Sequence, residues 1–291
     1  MKNILFLFVL AISSFIYAQD EDYPYPSLSP EGNITQVIGN TKIKLTYERP
    51  SVRNRKIYGG LVPWNKVWRT GAGKCTRISF DKPVKLQGQP LPAGSFSVFT
   101  IPTPDEWVVI INSDTTLYGH YNYDRQKDLA RFSVPSQKTD RHYETLTFDI
   151  DILHNDAKMY GSWANTQIVF DIETTTDEEI RNLIKTELLT GKSKDSQIYA
   201  GAAFYLYFQG EDYATALQLA DRALELNPKN TWVYNTKISI YEKMKLYDEI
   251  LATIDQAIED TKKRSYESEK ARLVDIDAYR ARYEYFEELK H

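Results

Sequence analysis

Arg49, Arg53, Arg55, Lys56, Lys66, Arg69, Lys74 and Arg77 are interleaved with Tyr58, Trp64 and Trp68. Arginine forks grip carboxylate, phosphate or sulfate through paired hydrogen bonds, and neighbouring aromatic rings stack on sugars or cover such a site. From Arg49 to Lys85 there are ten Lys or Arg and one acid, Asp81. One reading is an anion-binding cleft for an anionic glycan, a small anion or a lipid headgroup. The other leaves the lysines in solvent and pairs Arg69 with an acid elsewhere in the chain. Both stand at this level.

Trp68-Arg69-Thr70-Gly71 concentrates the question. A Trp–Arg pair before a glycine-containing loop either presents Arg69 at a site or buries it as the lock of a β turn. Tyr118-Gly119-His120-Tyr121-Asn122-Tyr123-Asp124-Arg125 is a polar, aromatic loop able to close over a ligand. His120 has the side-chain type that exchanges protons near neutrality, although a lone loop histidine is commonly just exposed. The ligand-binding candidates are therefore Arg55, Tyr58, Trp68, Arg69, His120 and Tyr123. No residue is assigned as catalytic. A hydrolase or lyase acting on glycan or peptide would need Arg69 and His120 to meet a carboxylate, drawn from Asp105, Glu106, Asp124 or Asp128.

Other chemistries lack their residues. His120, His142, His154 and His291 form no short-spaced metal pair, so no metal site is expected. No glycine-rich phosphate loop opens a helix and no Gly-x-Ser-x-Gly elbow occurs, so no cofactor is implied. Cys75 is the single cysteine, which rules out an intramolecular disulfide. It lies in an alternating run, Lys74 to Phe80, and reads as a buried structural thiol.

The elements that must hold these residues are strands. Thr41 to Tyr47 alternates, with Ile43, Leu45 and Tyr47 on one face. Further strands are expected at 34–38, 75–80, 84–86, 95–101, 106–112, 130–134, 142–152 and 166–172. Trp107-Val108-Val109-Ile110-Ile111 is apolar on both faces and predicts a central strand covered twice. Pro90-Leu91-Pro92-Ala93-Gly94 and Pro102-Thr103-Pro104-Asp105 are turn chemistry. No helix of any length is signalled before residue 173. The pattern predicts an antiparallel all-β sandwich or flattened barrel over 31–173.

Composition changes at Thr174-Thr175-Thr176. Thr176 with Glu179 has the spacing of a capping box, Ile180, Leu183, Ile184 and Leu188 follow at helical intervals, and Gly191 is a stop. Shifting the tail by 34 residues lays Tyr207 on Tyr241, Tyr213 on Tyr247, Leu217 on Leu251 and Ala223 on Ala257. That period marks a tetratricopeptide-like helical repeat. An all-α domain is expected, with a linking or capping helix at 174–196, two repeats at 197–264 and a capping helix at 265–291. Ala200 and Phe204 depart from the usual aromatic and glycine, and Ile250 and Ile254 replace the small residues of the first unit. From Thr174 onward there are 17 basic and 22 acidic residues, so the tail is mildly acidic. Its two repeats offer a short concave surface for a protein partner, and packing on the β domain or dimerisation fits equally well.

Lys2, the apolar run from Ile4 to Ile16 and the small Ala18 form the three parts of a secretory signal over 1–18, with cleavage after Ala18. The run is shorter than the ~18–20 residues of a membrane span. A Pro/Tyr-rich lead follows at 19–30. The expected address is the periplasm or the outside of the cell, which also disfavours a nucleic-acid partner.

One resemblance covers roughly Ser27 to Glu173. It is carried by Ile38-Gly39, Tyr47-Glu48-Arg49-Pro50, Arg55-Lys56-Ile57-Tyr58-Gly59 and Leu61-Val62-Pro63. Val67-Trp68-Arg69-Thr70-Gly71, Leu91-Pro92-Ala93-Gly94, Phe99-Thr100-Ile101-Pro102 and Glu106-Trp107 continue it. Together these resemble the bacterial domain of unknown function 2911. The resemblance implies an exported protein, sometimes with a tetratricopeptide tail, and transfers no catalytic residue. The expected function is that of an envelope protein whose β domain holds an anion and whose repeats bind a partner.

Overall fold

The computed structural model of the chain describes residues 25–290. The expected signal segment and its cleavage point, the first part of the lead, and His291 lie outside the described residues. The chain divides into two compact units between Glu173 and Thr174.

The first unit holds ten strands among the described residues: β1 (Glu31–Ile38), β2 (Thr41–Glu48), β3 (Thr76–Phe80), β4 (Val84–Leu86), β5 (Gln89–Leu91), β6 (Gly94–Pro102), β7 (Glu106–Asn112), β8 (Asp128–Pro135), β9 (Gln137–Leu153) and β10 (Asp156–Thr174). They form a six-stranded sheet, β1-β2-β3-β6-β7-β8, and a four-stranded sheet, β5-β4-β10-β9. Alternation in sequence becomes alternation in burial: Ile43, Leu45 and Tyr47 of β2 turn inward while Lys42 and Lys44 turn out. Inward residues of both sheets, among them Ile43, Ile78 and Val109 from one and Met159, Phe170 and Ile172 from the other, share one core. β7 is covered on both faces: Trp107, Val109 and Ile111 join that core, while Ile110 packs with Cys75 and Phe99 in a smaller cluster.

Two boundaries differ from expectation. Gln89-Pro90-Leu91 is a short strand where turn chemistry was read, and it occurs at a sheet edge, where a proline costs no ladder bond. Gln89 also joins this edge to β8, accepting from the Arg131 amide at 3.2 Å and donating to its carbonyl at 2.9 Å. β9 and β10 run far longer than their apolar stripes, because a paired hairpin continues past the buried portion; Ile152 is already exposed.

The second unit contains α1 (Thr176–Leu183), a five-residue π segment at 184–188, α2 (Ser196–Gln209), α3 (Tyr213–Leu226), α4 (Thr231–Met244), α5 (Tyr247–Lys262) and α6 (Glu269–Lys290). The cap of α1 is Thr175, one residue before the expected position, and its hydroxyl donates to Glu179 at 2.8 Å. Gly191, in the left-handed region at φ 70°, ends the π segment. α3 and α5 start 34 residues apart, and the α2–α3 interface is built on the buried alanines 203, 216, 220 and 223. Ile250 and Ile254 replace two of these in α5 and fill the next core together with Tyr234 and Phe286.

Candidate functional site

Three loop segments build a cavity in the β unit. The first leaves β2 and follows β9: Leu146 donates to the Pro50 carbonyl at 3.0 Å and Val52 to the Glu144 carbonyl at 2.7 Å. Arg49 anchors this corner from its side chain, donating to the Leu146 carbonyl and to the hydroxyls of Thr145 and Thr147. Arg55 then folds back on its own loop, with Nε donating to Val52 O at 3.1 Å and one terminal nitrogen to Ser51 O at 2.6 Å.

The second segment carries Trp68 and Arg69. β3 pairs with β6 only as far as Thr76–Val98. Beyond that point Trp68 takes the place of β3 and exchanges both backbone bonds with Thr100, at 2.7 and 2.9 Å. The chain between Trp68 and Thr76 must therefore bow out of the sheet. Thr70, β-branched yet at φ 57°, makes the bend, a conformation that costs roughly 1–3 kcal/mol and persists only where surroundings enforce it. Its hydroxyl donates to Thr100 Oγ1, its carbonyl accepts from Thr76 Oγ1 at 2.6 Å, and the Trp68 indole N–H donates to the Gly71 carbonyl. With Thr70 and Trp68 locking the turn, Arg69 is left free to line the cavity.

The third segment is the β7–β8 loop with His120. The Gly119 amide donates to Gly73 O at 2.9 Å, and the Cys75 thiol donates to Gly119 O at 3.0 Å. Burial pushes the Cys75 pKa up to about 11, against an opposing pull from the Arg69 charge. The thiol is thus a neutral strut.

The cavity measures about 370 Å³. Arg55, Lys66, Arg69 and His120 line it, together with Leu61, Val67, Trp68 and Trp163, and no carboxylate does. Among the described residues neither Arg69 nor Lys66 has an acidic partner. Arg69 Nε, His120 Nδ1 and Trp163 Nε1 are buried without any hydrogen-bond partner. The Arg69 and Trp163 N–H groups are donors, each costing about 1–3 kcal/mol when left without a partner, and the His120 nitrogen donates or accepts according to its tautomer.

Two of the predicted residues are placed elsewhere. Tyr58 does not line the cavity: it is the hub of the aromatic core, with Trp64, Trp68, Trp107 and Trp163 all within 6.3 Å between ring centroids. Its hydrophobic neighbours explain the correction, because a tight turn, closed by Val62 N–H to Ile57 O at 2.9 Å, folds the ring inward. Tyr123 is engaged outside the cavity, donating to Asp128 Oδ2 at 2.6 Å and accepting from Arg131 at 2.8 Å. Trp163 was missed. It lies on β10 beside a register shift that ends at Ala164, φ 53°, and only the pairing of β10 with β9 reveals that turn of the side chain. Lys66 stood in the basic stretch without distinction from its neighbours.

The fold and cavity define a two-sheet β domain with a pocket lined by Arg55, Lys66, Arg69 and His120. Residues 29–172 match the family model described as protein of unknown function (DUF2911), so the β unit is a domain of that family. No curated protein and no solved structure gives a significant match. No helix of the described residues is long and apolar enough to cross a membrane.

Proposed function

We propose that this is an exported binding protein whose β domain holds an oxyanion in the Arg69 cavity and whose tetratricopeptide-like repeats dock a protein partner. One observation carries the first half: three cations line about 370 Å³ with no carboxylate among the lining residues, and Arg69, His120 and Trp163 of that lining each hold a buried nitrogen without a partner. Guanidinium and indole donors in a partly desolvated site hold phosphate, sulfate or carboxylate oxygens more strongly than in water. The 34-residue offset between α3 and α5, the buried alanines and the matched stops of α2 and α4 support the repeat reading. The signal pattern at 1–18 supports export.

The binding half is tested by calorimetric titration of the full chain with phosphate and sulfate, before and after Arg69→Met. A drop in affinity of about tenfold or more is expected from loss of a charge-assisted pair; an unchanged affinity would sink the assignment. The docking half is tested by pull-down from envelope extracts with and without residues 174–291, where an identical set of captured proteins counts against it. The hydrolase or lyase reading gains little, since Arg69 and His120 both line the cavity but Asp105, Glu106, Asp124 and Asp128 stay out of the lining.

A further inference from the structure

Building on the oxyanion reading, we propose that the ligand is amphipathic: a phosphate or carboxylate carried on an apolar body, rather than a bare inorganic anion. The lining has two kinds of wall. Arg55, Lys66, Arg69 and His120 supply charge and hydrogen bonds, whereas Leu61, Val62, Pro63, Val67 and the ring faces of the two indoles offer apolar surface. A bare anion would satisfy the first wall and leave the second wet. The space is about 370 Å³, the share of roughly a dozen waters at ~30 Å³ each, several times what one phosphate fills.

The donors point the same way. Trp163 lines the cavity while only 1% exposed, and its buried indole N–H has no acceptor. An indole is a neutral donor on an apolar plate, suited to an acid oxygen that arrives attached to carbon. Trp68 stacks on Trp163 at 5.8 Å and 18°, so the plate is rigid before anything binds. Leu61, half-exposed, borders the same space from the tight turn that Ile57 and Val62 close. Mixed pockets of this size, apolar with a few convergent polar groups, are the usual form of sites for small organic ligands.

The test uses the full chain and five probes: inorganic phosphate, acetate, phenyl phosphate, benzoate and benzyl alcohol. Binding is read by calorimetry and by tryptophan fluorescence, since two of the chain's five tryptophans line the cavity. Phenyl phosphate and benzoate are expected to bind about tenfold tighter than inorganic phosphate and acetate, because the ring buries apolar surface that the small anions lack. They are also expected to exceed benzyl alcohol. Leu61→Asn, at an exposed position that spares folding, should weaken phenyl phosphate and leave inorganic phosphate unchanged. Trp163→Phe should weaken both acids while keeping the ring packing. Equal affinity for phosphate and phenyl phosphate overturns the amphipathic ligand but leaves the oxyanion site standing. Benzyl alcohol binding as tightly as benzoate overturns the oxyanion site itself, and no binding by any probe overturns both. A preference between phenyl phosphate and benzoate supports the proposal and names the acid group.

Discussion

The Cys75 thiol donates a 3.0 Å hydrogen bond to the carbonyl of Gly119, tying the strand that follows the Arg69 loop to the loop that carries His120. A single buried sulfur thereby joins two cavity walls that are far apart in sequence. It must stay protonated to do so, which makes the bond sensitive to alkaline pH.

The sign follows from proton counting. The folded thiol, with its pKa raised by burial from 9.0 to about 11, holds its proton over a range where the unfolded thiol has lost it. Stability from Cys75 is full below pH 9, falls as pH rises towards 11, and is flat beyond. Cys75→Ala should remove that slope, worth roughly 3 kcal/mol between the two limits. Paired urea melts of wild type and variant at pH 8 and pH 10.5 measure it; parallel losses in both proteins would refute the link. Thiol reagents at pH 8 should label the denatured chain and spare the native one.

Gly59 stands at φ 71°, and a Cβ there would lie 2.3 Å from the Trp64 indole nitrogen. Trp64 stacks on Tyr58 at 5.9 Å, so the added methyl presses on the aromatic hub. Gly59→Ala should cost roughly 2–4 kcal/mol, from left-handed backbone strain together with overpacking. Denaturant unfolding gives the magnitude, and a weakened near-ultraviolet aromatic signal shows where it arises.

Helices α2 and α4 end in the same way, with Gly210 at φ 72° and Lys245 at φ 57°. Each stop is closed by matched bonds, Glu211 N–H to Leu206 O in the first and Leu246 N–H to Tyr241 O in the second, at 3.1 and 3.0 Å. Lysine bears a steric penalty there that glycine avoids. Lys245→Gly should therefore raise stability by about 1 kcal/mol, seen as a higher midpoint with unchanged slope in a urea melt.

The Tyr234 hydroxyl donates to Asp260 Oδ2 at 2.5 Å within the helical unit. Burial and then this bond raise the tyrosine pKa, while the bond, with help from Gln256 and Lys263, lowers that of Asp260 despite partial desolvation. The carboxylate's contribution is present above its unfolded value near 3.8 and is lost as pH falls through its lower folded value. Tyr234→Phe should cost about 1–2 kcal/mol at neutral pH, the usual net worth of a bond to a charged group. The gap between variant and wild type should narrow below pH 4 in acid-titrated melts.

Much of this organisation is legible along the chain. Period-two alternation marks β2 and the buried part of β9, because on a pleated strand every second residue must find the core, and an unbroken apolar run marks β7 as covered on both faces. Period 3.6 marks the tail, and the alanines at 216, 220 and 223 show where helices approach closely. Charge bookkeeping alone singles out the stretch that holds Arg55 and Arg69, since ten cations against one acid is a local property. Tertiary structure decided the rest. The positive-φ bend at Thr70, enforced by bonds to Thr100 and Thr76, turns Arg69 towards the cavity instead of into a turn lock. Pairing irregularities in β10 bring Trp163 to the same wall, and Tyr58 and Tyr123, which look like site residues in sequence, are claimed by the core and by Asp128. Spacing along a chain determines which face a residue occupies on its own element. Which walls meet to form a cavity depends on long-range pairing, such as Trp68 with Thr100 and Cys75 with Gly119, and no local pattern encodes it.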